Sequence, residues 1–169
     1  MNTQEYKFGI GKTMLWSSRN ISTMICFVVM SYVTYFATNY LGISPGIVGA
    51  LLLVSKLFDG VTDLIAGFIV EKTKTKYGKG RPFDLYIIGV WISTVLMFAV
   101  PDLSYIGKCI WLFLMYTLAN AVFFTLLGAA EPVYMMRAIP NKASKETTAA
   151  IAGVIGVIAT AVGYMIFPV

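Results

Sequence analysis

Five apolar runs, each about as long as a bilayer is thick, limit what this chain can fold into. A helix needs roughly 20 mostly apolar residues to cross the hydrocarbon. The runs fall at 18–39, 47–70, 83–100, 109–130 and 147–167. Within lipid every backbone N–H and C=O must find its partner inside the protein, which leaves a helix as the solution for an isolated run. The pattern predicts an all-α membrane protein with five transmembrane helices in a single bundle over residues 1–169. Composition agrees. Hydrophobic residues make up 58% of the chain and charged residues 12%, whereas a soluble domain carries about 25% charged.

The breaks between the runs set an orientation. Leu41–Gly46 is short and uncharged, so the first two helices form a tight antiparallel hairpin. The segment 71–82 carries Lys72, Lys74, Lys76, Lys79 and Arg81, and 137–146 carries Arg137, Lys142 and Lys145. With Lys7 and Lys12 these make ten basic residues on one side, against Lys108 on the other. Positive charge stays in the cytoplasm. The expected arrangement is a plasma (inner) membrane protein with its N-terminus inside and the end of this chain outside.

The net charge of +5 is gathered at these breaks and not spread over a face. It therefore reads as topology signalling and not as a nucleic-acid surface. The chain has no histidine, and its two cysteines, Cys26 and Cys109, form no framework. Histidine-based triads, metal sites and proton relays are excluded, and no nucleophile–base pair or metal cluster points to an enzyme. No bound cofactor is expected. The fifth run places Gly153, Gly156 and Gly163 among alanines at helical spacing, a pattern that lets helices approach closely in lipid.

The second run contains what an apolar helix should lack. Asp59 and Asp63 lie four apart, one turn from each other on one face, and Lys56 precedes Asp59 by three. Counted from Ile47, Asp59 falls near the bilayer midplane, where an acid costs about 2.5–3.5 kcal/mol. Two readings answer that cost. In one, Lys56 neutralises Asp59 in a structural ion pair and Asp63 reaches the cytoplasmic surface. In the other, the two carboxylates form a hard oxygen site for Na⁺, or a proton acceptor. The fourth run supplies further oxygens. Tyr116, Thr117, Asn120 and Thr125 interrupt it, and Thr117 and Asn120 share a face. Thr117 and Asn120 serve either as interhelical hydrogen-bonding groups or as neutral ligands beside Asp59 and Asp63.

Three segments carry a family resemblance. They are T-N-Y-L-G-I-S-P-G-I-V-G (38–49), K-L-F-D-G-V-T-D (56–63) and E-K-T-K-T-K-Y-G-K-G-R-P-F (71–83). In this order and spacing the chain resembles the glycoside–pentoside–hexuronide cation symporters, the melibiose-permease-like group of the major facilitator superfamily. The resemblance implies most of that superfamily's N-terminal six-helix bundle. It implies that Asp59 and Asp63 bind the coupling cation, Na⁺ or H⁺, and that Thr117 and Asn120 join them. It also implies a cytoplasmic gate in the loop with Glu71, Lys72, Lys79 and Arg81, a loop that topology signalling explains equally well. A sugar-like solute would be the cargo.

The chain departs from that pattern in four places. Asn120 stands where melibiose permease has an acid, which leaves Na⁺ against H⁺ open. The fifth helix lacks the family's arginine. Phe124 occupies the place of a tryptophan. The first helix aligns poorly before Tyr32, and Arg19 stands near where its sugar-contacting acid would be. Arg19, with Tyr32, Tyr35 and Phe124 as stacking surfaces, is the candidate substrate-binding set. Superfamily carriers bind substrate between two halves. A chain of five helices lacks the sixth helix and the second half, so it is not expected to transport alone, and a C-terminal half is an expected partner alongside the lipid. The alternative function is a non-transporting membrane protein that packs with partners, its intramembrane charges paired structurally.

Overall fold

The computed structural model describes residues 9–73, 80–139 and 141–167. Among them the elements are α1 (Ile10–Ser31), α2 (Val33–Asn39), α3 (Pro45–Lys72), a 3₁₀ turn (Arg81–Leu85), α4 (Tyr86–Phe98), α5 (Tyr105–Thr117), a π-helix (Leu118–Phe124), α6 (Thr125–Ala138) and α7 (Lys142–Ile166). The protein is an all-α membrane protein. Gly11–Asn39, Tyr105–Ala138 and Lys142–Ile166 are each long and apolar enough to span a bilayer, and Pro82–Phe98 is a shorter apolar helix. The 28 residues of α3 have the length to span, with Lys56, Asp59 and Asp63 in the middle. Leu57 and Leu64 on α3 and Met165 on α7 are two-thirds exposed or more, as apolar side chains are when lipid is the solvent.

The helices extend past several of the sequence-predicted ends. α1 begins at Ile10 and not near 18, because Thr13, Trp16 and Ser17 bury one stripe at helical spacing. The fourth run continues to Ala138, passing through Pro132. It stops two residues before Pro140, which disfavours helix at the residue preceding it. The third run is α-helical only from Tyr86, since Pro82 sits in the first turn of the 3₁₀ segment.

The chain divides into two compact units, Val29–Val133 and the pair of segments Met1–Val28 with Tyr134–Val169. In the first, α2 and α3 are joined by the predicted tight turn. Gly42 takes a φ of +72°, a left-handed conformation that costs glycine little. Ile43, fully buried, donates its N–H to Ala37 O at 3.0 Å. Ser44 leads into Pro45 at the start of α3, where the missing N–H has no helical acceptor to lose. Phe36 meets Phe98 at 5.0 Å between ring centroids, and Trp111 donates Nε1–H to Leu96 O at 2.8 Å. The π-helix packs on both α3 and α4. At Gly89 on α4 a Cβ would lie 2.7 Å from the Phe123 ring, so glycine makes room for that ring.

The second unit pairs α1 with α7 through small residues. A Cβ on Gly156 would meet Asn20 Nδ2 at 3.1 Å, and one on Gly163 would meet Val28 at 3.3 Å. Asn20 Nδ2 donates to Ala152 O at 2.7 Å. Asn141 caps α7, its Oδ1 accepting from Ala143 N at 3.1 Å.

Candidate functional site

α3 lays Lys56, Asp59 and Asp63 along one stripe, because a helix repeats every 3.6 residues. The Lys56 ammonium donates to Asp59 Oδ2 at 2.8 Å. The other carboxylate oxygen, Asp59 Oδ1, accepts from the Thr125 hydroxyl at 3.0 Å. Both oxygens are thus engaged, one by charge from its own helix and one by a neutral donor where the π-helix ends. Asp59 is largely covered, its side chain 21% exposed against 57% for Lys56. Asp63, one turn on, is exposed, and among the described residues no hydrogen bond or ion pair reaches its carboxylate.

The fourth helix meets this stripe through hydroxyls. Thr117 Oγ1 donates to Ser55 Oγ at 3.0 Å. Ser55 is fully buried and lies one turn before Asp59 on α3. Asn120 Nδ2 turns back to its own helix and donates to Tyr116 O at 3.1 Å. The Asn120 carbonyl accepts from the Thr125 hydroxyl at 3.2 Å and also from the Thr125 N–H. Of the sequence-derived set, then, Asp59 and Thr117 face each other's helices, Asn120 contributes its backbone to the network, and Asp63 stands on the open face.

Two members of this network, Thr125 and Ser55, were not in the sequence-derived site. Thr125 is visible in the sequence as a polar interruption, but α-helical spacing from Thr117 turns it off the Asp59 face. The π-helix between them changes the register by closing i→i+5 turns, and no residue pattern announces it. Ser55 carries a signal that spacing alone supplies, four residues before Asp59 on the same face.

The other candidate residues are dispersed. Arg19 belongs to the α1–α7 unit, its guanidinium carbon 5.8 Å from the Trp16 ring centroid. That ring lies 5.1 Å from Tyr134. Tyr32 sits at the junction of α1 and α2, and Tyr35 lies edge-on to Tyr40 at 6.2 Å. Phe124 is the last residue of the π-helix and is half-buried. At the end of α3, Glu71 and Lys72 are exposed, and the Lys72 ammonium rests 4.2 Å over the Phe68 ring. Lys79 and the Arg81 side chain lie outside the described residues.

Among the described residues no group of three or more His, Cys, Asp or Glu side chains gathers to hold a metal ion. The contacts instead join one carboxylate, Asp59, to the Thr125 hydroxyl, which also reaches the Asn120 carbonyl, with the exposed Asp63 carboxylate one turn on along α3. Such a donor set suits a singly charged hard cation. A divalent ion takes six or more oxygens, commonly several from carboxylates.

A family described as MFS/sugar transport protein matches residues 21–168. YagG of Escherichia coli (strain K12), named for glycoside/cation symport, is 42% identical over 95 residues, covering 56% of this chain and 21% of YagG. The inner membrane symporter YicJ of the same organism is 35% identical over 96 residues, with 56% and 21% covered. The isoprimeverose transporter of Lactiplantibacillus pentosus is 34% identical over 116 residues, with 63% and 24% covered. The chain spans about a fifth to a quarter of the length of these relatives. No solved structure is matched. The matched family is one of transporters, not enzymes. With the match extending over nearly all of its apolar helices, the chain belongs to the MFS/sugar transport protein family of integral membrane proteins.

Proposed function

We propose that this chain is the N-terminal portion of a secondary transporter that carries a sugar-like solute by symport with one monovalent cation, Na⁺ or H⁺. The observation that carries the reading is Asp59, held in the middle of a 28-residue helix between a lysine of its own helix and a hydroxyl from a neighbouring one. Charge gives the stoichiometry. Lys56 contributes +1 and Asp59 and Asp63 contribute −1 each, leaving −1, which one monovalent cation neutralises. Thr117, Ser55 and Thr125 supply neutral oxygens around it, and Asn120 supplies a carbonyl. The printed names of YagG and the isoprimeverose transporter speak of glycoside/cation symport and of isoprimeverose transport. By that likeness the solute of this protein is a glycoside or related sugar. Alternating access requires one bundle to rock against another. In this reading the remaining helices of a full carrier supply the second bundle, and the chain by itself binds the ion without transporting.

The test is equilibrium binding of radioactive sodium, with competition by protons, to the reconstituted chain and to Asp59→Asn and Asp63→Asn. Ion binding that disappears in Asp59→Asn, with normal membrane insertion, supports the proposal. The ion pair favours one rival reading, in which Lys56 and Asp59 only stabilise packing. That reading predicts no saturable ion binding in the unaltered chain and poor insertion of Asp59→Asn.

The orientation belongs to the same proposal. It rests on the ten basic residues gathered on one side. A cysteine introduced at Lys76 should react with an impermeant maleimide from the cytoplasmic side only. Labelling from outside would reverse the topology.

A further inference from the structure

Thr125 occupies a position that the cation-site reading alone does not require. It is buried, and its hydroxyl lies within hydrogen-bonding distance of two acceptors, Asp59 Oδ1 at 3.0 Å and the Asn120 carbonyl at 3.2 Å. A threonine hydroxyl has one proton and two lone pairs, so it can fully satisfy only one of these acceptors at a time. The stronger acceptor is the ionised carboxylate. The second acceptor is five residues back, the spacing of a π-turn, and the same carbonyl takes the Thr125 N–H. Thr125 therefore stands where the carboxylate on α3 meets the last irregular turn of the neighbouring helix. π-segments recur at functional sites, and the residue that follows this one, Thr125, touches Asp59.

We propose that Thr125 is a positioning residue of the cation site, whose hydroxyl proton moves from Asp59 to the Asn120 carbonyl when a monovalent metal ion arrives at Asp59. The proposal rests on the cation-site reading above. With no ion, the hydroxyl donates to Asp59 Oδ1 and holds that oxygen toward the π-helix. An ion at Asp59 takes up the carboxylate's negative charge and weakens its pull on the proton. The proton then turns to the Asn120 carbonyl, and the freed lone pair of Thr125 Oγ1 faces the ion. No bond other than hydrogen bonds changes. The consequence is mechanical: occupancy on α3 alters the hydrogen bonding of Leu118–Phe124, a segment that also packs on α4.

Two measurements on the reconstituted chain test this, with Na⁺ alone as the probe. The first is sodium affinity in Thr125→Val, which keeps the shape and removes the hydroxyl, and in Thr125→Ser, which restores the hydroxyl. Valine removes the hydroxyl oxygen that faces the ion in the occupied site and should lower the sodium affinity, while serine should retain most of it. The second measurement needs no variant. The sequence contains a single Asn–Ala peptide, Asn120–Ala121. Carbonyl-labelled asparagine combined with nitrogen-labelled alanine therefore isolates that carbonyl in an NMR spectrum. Its resonance should move on addition of Na⁺ in the unaltered chain. Asp59-dependent sodium binding with an unmoved Asn120 carbonyl, or with full affinity in Thr125→Val, would overturn the role of Thr125 and leave the cation site standing. Absence of any Asp59-dependent sodium binding in the unaltered chain would overturn the role of Thr125 and the sodium form of the cation site together.

Discussion

The α3–π-helix region and the α1–α7 region solve the same problem in opposite ways. Each brings two long helices together where water is scarce. α1 and α7 do it by subtraction. Gly156 and Gly163 remove side chains so that Asn20, Met24 and Val28 come close, and the Asn20 side-chain amide donates a hydrogen bond across the seam to Ala152 O. α3 and the π-helix do it by addition, placing a lysine, two acids and three hydroxyls in and beside the seam. Packing through small residues is sufficient for helix association in lipid. The second arrangement therefore carries a desolvation cost that packing did not demand, the cost that the proposed ion site would account for.

That contrast can be broken by substitutions in either region. The largest expected effect is Asp59→Asn on sodium binding. Asp59 supplies negative charge to the site, and cation affinity follows the charge of the ligands, so saturable binding should disappear. The seam between α1 and α7 should be unaffected. Gly156→Leu should act the other way. Overpacking a close contact costs about 1–3 kcal/mol, so the thermal unfolding midpoint should drop while the sodium affinity of what remains folded is unchanged. A parallel loss of sodium affinity would show that the two regions are not independent. The smallest effect is Lys56→Met. Its ammonium is more than half exposed, so the pair with Asp59 is worth about 0.2–1 kcal/mol. Removing it takes away a competitor for Asp59, and sodium should bind more tightly, by no more than about fivefold. Weaker binding in Lys56→Met would make the lysine a structural support of the carboxylate and not its rival.

Much of this was legible in the sequence, for physical reasons that can be named. The apolar runs gave the helices because length and hydropathy are local properties. The Gly42 turn was readable from Gly-Ile-Ser-Pro-Gly, and the glycines of α7 from their spacing. Asp59 and Lys56 were readable as a pair because i,i+3 residues on a helix meet whatever surrounds them. The partners supplied by the neighbouring helix were less legible. Thr117 does reach α3, but its acceptor is Ser55 and not an aspartate. Asn120 shares its face at α-helical spacing, yet its side chain bonds back to Tyr116. Thr125 reaches Asp59 because seven residues adopt π geometry, which tertiary packing around Phe123 and Gly89 accommodates and which no local propensity encodes. The extension of α1 back to Ile10 was missed because that turn buries polar residues, Thr13 and Ser17, that a hydropathy reading takes as the end of a span.

The central claim, in its sodium form, is that the coupling ion stops at the carboxylates of α3. The chain has four aspartates, Asp59, Asp63, Asp84 and Asp102. Labelling their side-chain carboxyl carbons and titrating sodium into the reconstituted chain reads each one directly by NMR. The Asp59 and Asp63 signals should shift together along one saturable curve while Asp84 and Asp102 stay in place. Signals from Asp59 and Asp63 that ignore sodium, or that move no more than those of Asp84 and Asp102, would contradict the claim.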